Sequence, residues 1–147
     1  MGGIDARISD AALDIPAALR EGASPECGAI AAFVGTVRKS GAVPDNDSKE
    51  VVGLEYEAHP TLAGTRIEEV AREASERWEL HKVIAVHRTG PCELGEPTVV
   101  VVTSAPHRGD ALEACRWLID TIKAGVPIWK KEIYADGSSW VGAEAHG

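Results

Sequence analysis

The sequence predicts one domain of the α/β or α+β class with a partly antiparallel sheet. The main observation is that segments with helical apolar spacing alternate with pairs of short, β-branched apolar runs. The second is that 147 residues, 44% of them hydrophobic, suit one compact domain with its own core. No internal repeat is visible, so we take residues 1–147 as a single domain.

The first two predicted helices differ in length. Residues 14–22 form a short one, with Asp14 as candidate N-cap, Pro16 in the first turn and Gly22 after the end. Residues 61–80 form a longer one. Its apolar side chains fall on one stripe, which consists of Ile67, Val70, Ala71, Ala74 and Trp78.

A third helix is predicted for residues 109–127. Asp110 is its candidate N-cap, and Glu113 follows three residues later in the pattern of a capping box. Gly125 and Pro127 end it. Its apolar stripe consists of Leu112, Cys115, Leu118, Ile119 and Ile122.

Apolar and β-branched runs predict the strands. The predicted strands are residues 6–9, 28–38, 51–59, 82–90, 97–105 and a final hairpin over 128–142. Residues 28–38 are small and apolar, so we expect that strand to be buried. In residues 51–59 Leu54 and Tyr56 alternate with Glu55 and Glu57, the pattern of a half-buried strand.

Turn residues indicate how the strands connect. Residues 90–97, GPCELGEP, should join their flanking strands as a hairpin, and the last hairpin should turn at Asp136 and Gly137. Residues 39–50 are polar, contain Gly and Pro and lack periodicity, which predicts a mobile surface loop.

Charge and hydropathy exclude several classes of protein. The net charge of −8 argues against broad binding to nucleic acid or to an anionic membrane. The longest apolar run, TVVVVTSA, is too short to span a bilayer, and the N-terminus lacks the pattern of a signal peptide. We therefore expect neither nucleic acid nor a membrane as a partner.

Cysteine and histidine spacing bears on compartment and cofactors. Three cysteines, Cys27, Cys92 and Cys115, form no CxxC pair, so we expect no disulfide framework and a reducing cytoplasm. No pair of histidines has the spacing of metal ligands, and no glycine motif matches a nucleotide-binding loop. We predict no metal and no cofactor.

The stretch IKAGVPIWKKEIY, residues 122–134, gathers lysines in an acidic chain. Lys123 lies in the last turn of the third predicted helix, where a cation also stabilises the helix dipole by about 0.3–1 kcal/mol. The Gly-Val-Pro break returns the chain as a strand close to that helix end. Lys130 and Lys131 point to opposite faces of the strand, so only one of them can join Lys123.

Lys130 shares its strand face with Glu132 and Tyr134 and is the better candidate to approach Lys123. Two close, partly buried ammonium groups favour loss of a proton from one of them, which is a route to a lysine base or nucleophile. If both lysines stay charged, they form an anion site instead. The sequence leaves both alternatives open.

Two further cationic segments are candidates. His107 and Arg108 lie between the most apolar strand and the third helix, where anionic ligands often bind α/β sheets. The alternative is a loop with an exposed His-Arg pair. Arg38 ends the strand over 28–38. It is a site candidate only if it faces the other cations, and otherwise it is an ordinary charge at the end of a strand.

Five motifs occur along most of the chain in this order: FVGTVR, LEYEAHP, HRTG, SAPHRGDALEAC and IKAGVPIWKKE. In order and spacing they resemble the large, catalytic subunit of molybdopterin synthase, over about residues 28–141. The resemblance implies an α/β hammerhead fold with an additional antiparallel β subdomain. It also implies transfer of two sulfurs to cyclic pyranopterin monophosphate, which forms the dithiolene of molybdopterin.

The resemblance also implies partners. The sulfur would arrive as a thiocarboxylate on the C-terminal Gly-Gly of a small, ubiquitin-like subunit, so no reactive cysteine is needed. Two large subunits would form a homodimer at the centre of a heterotetramer. Some relatives place an arginine near the C-terminus that reaches the neighbouring site. Here that tail carries Glu144, so we do not carry this contact over.

The family's functional residues match positions of this sequence one by one. Lys123 resembles the essential lysine and Lys130 the second pocket lysine, and both are assigned as catalytic. Phe33 would lie near the channel for the partner's tail. The substrate-contacting positions would be Thr36, Val37, Arg38, His107, Arg108, Lys123, Lys130, Lys131 and Glu132.

Two other classes of function stay open at this point. The same cationic cluster fits a non-catalytic or regulatory module that binds a phosphorylated or other anionic ligand. The apolar strands alone fit a structural subunit that binds a partner. Product formation from the thiocarboxylate and the pterin separates the enzyme from both.

Overall fold

A computed structural model describes residues 3–39 and 50–143. The predicted surface loop over 39–50 falls almost entirely outside the described residues, and Glu144 does so as well. In chain order the described elements are β1 (Gly3–Ser9), α1 (Ile15–Gly22), β2 (Ala29–Thr36), β3 (Val51–Ala58), α2 (Leu62–Arg77), β4 (Lys82–Arg88), β5 (Gly90–Glu93), β6 (Pro97–Ala105), α3 (Arg108–Gly125), β7 (Ile128–Tyr134) and β8 (Ser139–Ala143).

The first sheet has the strand order β1-β4-β6-β2, with β1 parallel to β4 and the other pairs antiparallel. Its central strands β4 and β6 are buried on both faces, as their near-continuous apolar runs require. Helices α2 and α3 pack on one face and α1 on the other. This confirms the mixed α+β class. None of the described helices is long and apolar enough to cross a membrane.

The second sheet is antiparallel, with the order β5-β3-β7-β8. The predicted pairing of the two strands that flank residues 90–97 is confirmed, but their connection is not a simple turn. Strands β4 and β6 do pair, but the segment between them contains β5, which pairs with β3 in the second sheet. Gly90, at φ +90°, provides a backbone turn that other residues rarely adopt. The final hairpin is confirmed, with Gly137 at φ +88° in its turn.

The predicted caps of the helices have different outcomes. In α1 the Asp14 carboxylate accepts a hydrogen bond from the Ala17 N–H at 3.0 Å, which confirms the cap. No cap was predicted for α2. There the His59 Nδ1 accepts from the N–H groups of Thr61 (3.3 Å), which is the N-cap residue, and Leu62 (3.1 Å). His59 thus has a structural role that its position in a turn did not reveal.

Helix α3 corrects two predictions. It begins at Arg108 with His107 as N-cap, so Asp110 lies inside the first turn, where its charge complements the helix dipole. Leu112 is 59% exposed, whereas the rest of the predicted stripe is buried. At 100° per residue, Leu112 lies at the margin of the stripe, beside Arg116 and Lys123, and small buried alanines take its place in the core.

The expectation that residues 28–38 form a buried strand is wrong. Strand β2 lies at the edge of the first sheet and pairs only with β6 among the described strands. Ile30 and Phe33 are 42% and 36% exposed, while Ala31 faces the core. Small apolar residues therefore indicated a strand here but not its place in the sheet. This edge leads into the pocket described next.

Candidate active site

A pocket of about 230 Å³ lies where the end of β2, the end of α3 and the inner face of the second sheet meet. Six of its lining residues were predicted as site residues: Phe33, Thr36, Arg38, Lys123, Lys130 and Glu132. The others are Val34, Gly35, Leu54, Tyr56 and Thr98. Three cationic side chains thus meet one carboxylate in a single cleft of an acidic protein.

The end of α3 places Lys123 in the pocket wall. The helix ends at Gly125, and the Val126 N–H donates to the Ile122 carbonyl at 3.0 Å. The Pro127 carbonyl then accepts from the His59 N–H at 3.1 Å, which attaches the turn to the start of α2. The half-buried Lys123 therefore has a fixed backbone, and its ammonium group is close to the negative end of the helix dipole.

Strand β7 confirms the predicted alternation. Lys130, Glu132 and Tyr134 are buried on the inner face, and Lys131 is exposed on the outer face. The Lys130 Nζ lies 3.9 Å from the Glu132 Oε2, and the two side chains are 5% and 4% exposed. A buried ammonium is tolerated when such a carboxylate compensates its charge.

The chain after β2 provides the remaining predicted contacts. Thr36 and Arg38 line the pocket, but the Val37 side chain is buried in the core. The Val37 N–H donates to the Glu96 carbonyl at 3.2 Å, and its carbonyl accepts from the Gly95 N–H at 2.8 Å. Val37 thus anchors the segment that carries Arg38.

The structure does not bring His107 and Arg108 to this pocket. They are exposed at the beginning of α3, and Lys123 is in its last turn. Lys123 follows His107 by sixteen positions along the helix, a rise of about 24 Å. Lys131 also lies elsewhere, in a groove on the outer face of the second sheet with Trp129 and Glu55. Within one chain, His107, Arg108 and Lys131 therefore do not join the pocket that Arg38, Lys123 and Lys130 line.

Sequence reasoning missed two features of the pocket. Tyr56 lies opposite Lys130 in the β3–β7 register, and its ring makes an edge contact with His87 at 5.0 Å between centroids. The Thr98 hydroxyl donates to the Gly35 carbonyl at 3.2 Å and so fixes the bulged end of β2. The alternation of β3 indicated that Tyr56 points inward, but no local signal paired it with β7.

The cysteines lie outside the pocket lining. Cys92 and Cys115 are buried, and burial raises the pKa of the Cys115 thiol to about 11, partly offset by a hydrogen bond with Thr103. Cys27 is partly exposed in a separate cleft beside His81. Among residues 3–39 and 50–143, no group of histidine, cysteine and carboxylate side chains could hold a metal ion.

The fold and the pocket define an α+β protein with lysine and arginine side chains in a cleft between two sheets. The family model described as MoaE protein matches residues 8–125. A molybdopterin synthase catalytic subunit from Taeniopygia guttata is 44% identical, over 80% of this chain and 73% of its own length. The chain spans only 57% of a similarly named Arabidopsis thaliana protein, at 42% identity.

Solved structures agree in fold. Molybdopterin synthase from Staphylococcus aureus superposes with a TM-score of 0.83 at 30% identity, over 94% of this chain and 96% of that one. A complex of subunits 1 and 2 of molybdopterin-converting factor from Helicobacter pylori contains a chain with a TM-score of 0.71 at 26% identity, over 90% and 86%. This chain belongs to the MoaE family, the family of molybdopterin synthase catalytic subunits. Its members are enzymes of molybdenum cofactor biosynthesis.

Proposed function

We propose that this chain catalyses sulfur transfer from the thiocarboxylated C-terminus of a small, ubiquitin-like subunit to cyclic pyranopterin monophosphate, forming the molybdopterin dithiolene. One observation carries the proposal: Arg38, Lys123 and Lys130 line one pocket although the chain has a net charge of −8. Both reactants are anions, one a phosphate ester and the other a thiocarboxylate. A local cationic cleft can bind both.

The three cations suit different tasks. Arg38 presents a planar guanidinium that can hold a phosphate with two hydrogen bonds, and each charge-assisted contact contributes about 1.5–3 kcal/mol. Lys123 either transfers a proton during attack or holds the acyl-side intermediate. Lys130, paired with Glu132, is the second catalytic lysine.

The small subunit is the proposed sulfur donor. The Helicobacter pylori structure is a complex of two different subunits, which supports a partner of this kind here. Phe33 lies at the pocket and is 36% exposed, so its ring can guide an extended Gly-Gly tail toward the lysines. Because each tail carries one sulfur, one dithiolene consumes two of them.

A second copy of this chain is the proposed source of His107 and Arg108. The pair lies about 24 Å from Lys123 along a rigid helix, so it cannot reach the same pocket from the same chain. In a two-fold dimer, the beginning of α3 from one protomer can face the pocket of the other. The exposed Leu112, one turn into α3, offers an apolar contact for such an interface.

Reconstitution tests the proposal. The protein is mixed with a thiocarboxylated small subunit and cyclic pyranopterin monophosphate, and dithiolene formation is followed by mass spectrometry. We expect product in proportion to the thiocarboxylate added, and none with a small subunit that ends in an ordinary carboxylate. Binding of the pterin without any product would instead favour the anion-binding module.

The cysteines provide a separate prediction. A variant with serine at Cys27, Cys92 and Cys115 should keep its turnover if it folds, because the sulfur arrives on the partner. In the wild type, iodoacetamide at neutral pH should label Cys27 and leave Cys115 unlabelled, since burial holds that thiol protonated. A folded but inactive serine variant would contradict the carrier argument. Three free thiols also support the cytoplasm as the proposed compartment.

A further inference from the structure

Tyr134 contacts the buried pair that Lys130 and Glu132 form on β7. It lies on the same strand face as Lys130 and Glu132, is 4% exposed, and donates its hydroxyl to the Glu132 Oε1 at 2.9 Å. We propose that Tyr134 is a positioning residue for sulfur transfer, because its hydroxyl holds the Glu132 carboxylate so that the Lys130 ammonium stays directed at the pocket. This inference rests on the function proposed above.

The distances indicate how the three groups divide the carboxylate. One oxygen, Oε1, accepts from Tyr134, and the other, Oε2, lies 3.9 Å from the Lys130 Nζ. A direct ammonium–carboxylate hydrogen bond would be about 2.7–2.9 Å long. Glu132 therefore compensates the charge of Lys130 without binding the ammonium directly. The ammonium keeps its hydrogen-bonding capacity for an anion in the pocket.

Loss of the Tyr134 hydroxyl should remove this restraint. Attraction between opposite charges is strong where both side chains are buried, so without this hydrogen bond the carboxylate should shift toward Lys130 and bind it directly. The ammonium would then be bound by the carboxylate and less available to an anion in the pocket. The effect acts through Glu132, since Tyr134 itself does not line the pocket.

The surroundings keep Tyr134 in its role as a donor. Tyr134 ends β7 opposite Val51, and its N–H donates to the Ser138 carbonyl at 2.9 Å, so its backbone is held on both sides. Burial, reinforced by the Glu132 carboxylate, raises the pKa of Tyr134 to about 12. The hydroxyl therefore stays protonated at the pH at which the enzyme works.

Tyr134→Phe removes only the hydroxyl. In the reconstituted reaction we expect kcat to fall about tenfold with little change in KM for the pterin, because the lost effect concerns Lys130 and not the phosphate. Thr103→Val is a matched control. It removes another buried hydroxyl, which donates to the Ala111 carbonyl at 2.7 Å far from the pocket. That variant should lower the melting temperature but keep kcat.

A double-mutant cycle with Glu132→Gln tests whether Tyr134 acts through the carboxylate. A neutral amide cannot capture the ammonium as an ion pair, so adding Tyr134→Phe to the Glu132→Gln variant should change kcat less than about twofold. Equal losses with and without Glu132→Gln would overturn the positioning role. A wild-type kcat for Tyr134→Phe would overturn it as well.

A measurement without turnover separates this inference from the proposed function. Acylation of Lys130 by acetic anhydride is followed by mass spectrometry, with the exposed Lys131 as internal reference. We expect Tyr134→Phe to slow Lys130 acylation several-fold and to have no such effect after Glu132→Gln. An unchanged rate would refute the positioning role even if the enzyme were active. A wild type that forms no product would refute only the proposed function.

Discussion

Lys123→Ala should abolish dithiolene formation while the complex with the small subunit still assembles. In the proposed reaction the lysine supplies either the proton transfer or the charge that stabilises the acyl-side intermediate, and loss of such a group should cost about 10²–10⁴-fold in rate. Its half-buried side chain lies at the rim of the core, so the fold should persist. Single-turnover formation of product, with assembly checked by gel filtration, measures both effects.

A second substitution at the same position distinguishes the two roles. Arginine keeps a positive charge but does not give up a proton in proteins. Lys123→Arg should therefore retain part of the activity if Lys123 only holds an anion, and should match Lys123→Ala if it transfers a proton.

The control is Arg72→Ala, which removes an exposed cation whose ion pair with Glu68 spans 3.5 Å on α2. Exposed pairs of this kind contribute at most about 1 kcal/mol. Full turnover of a correctly assembled Lys123→Ala enzyme would contradict the catalytic assignment.

Local periodicity predicted much of the pocket, because two of its walls follow from the side-chain alternation of a strand. Once residues 128–134 are a strand, Lys130 and Glu132 must share one face and Lys131 the other, as observed. The same rule placed Leu54 and Tyr56 inward on β3. Pairing of these two strands is a long-range event, and no nearby residue encodes it.

The errors have a common physical cause. The small residues of β2 fit a buried strand or an edge strand equally well, and only the sheet order decides between them. The length of α3 was predicted almost correctly, yet that length itself excludes contact between Arg108 and Lys123 in one chain. A helix is rigid over five turns, so residues at its two ends can share a site only across a symmetry axis.

Mixed dimers test that conclusion. Arg108→Ala and Lys123→Ala chains with different affinity tags are co-expressed, and the dimers that carry both tags are purified. If each site combines the α3 ends of two protomers, both substitutions of a mixed dimer affect the same pocket. That pocket carries both defects, and the other pocket is intact. Two inactive parents should then give a dimer with about half of the wild-type turnover per dimer.

The opposite arrangement predicts a different number. If each chain used its own Arg108 and Lys123, every pocket of the mixed dimer would lack one group, and turnover would stay at the level of the parents. Sedimentation must show that both parents and the mixed species are dimers, since a monomeric wild type with full activity would also refute the shared site. Recovery of activity, by contrast, requires that the guanidinium at one end of α3 and the ammonium at the other serve different pockets, as proposed from the length of the helix.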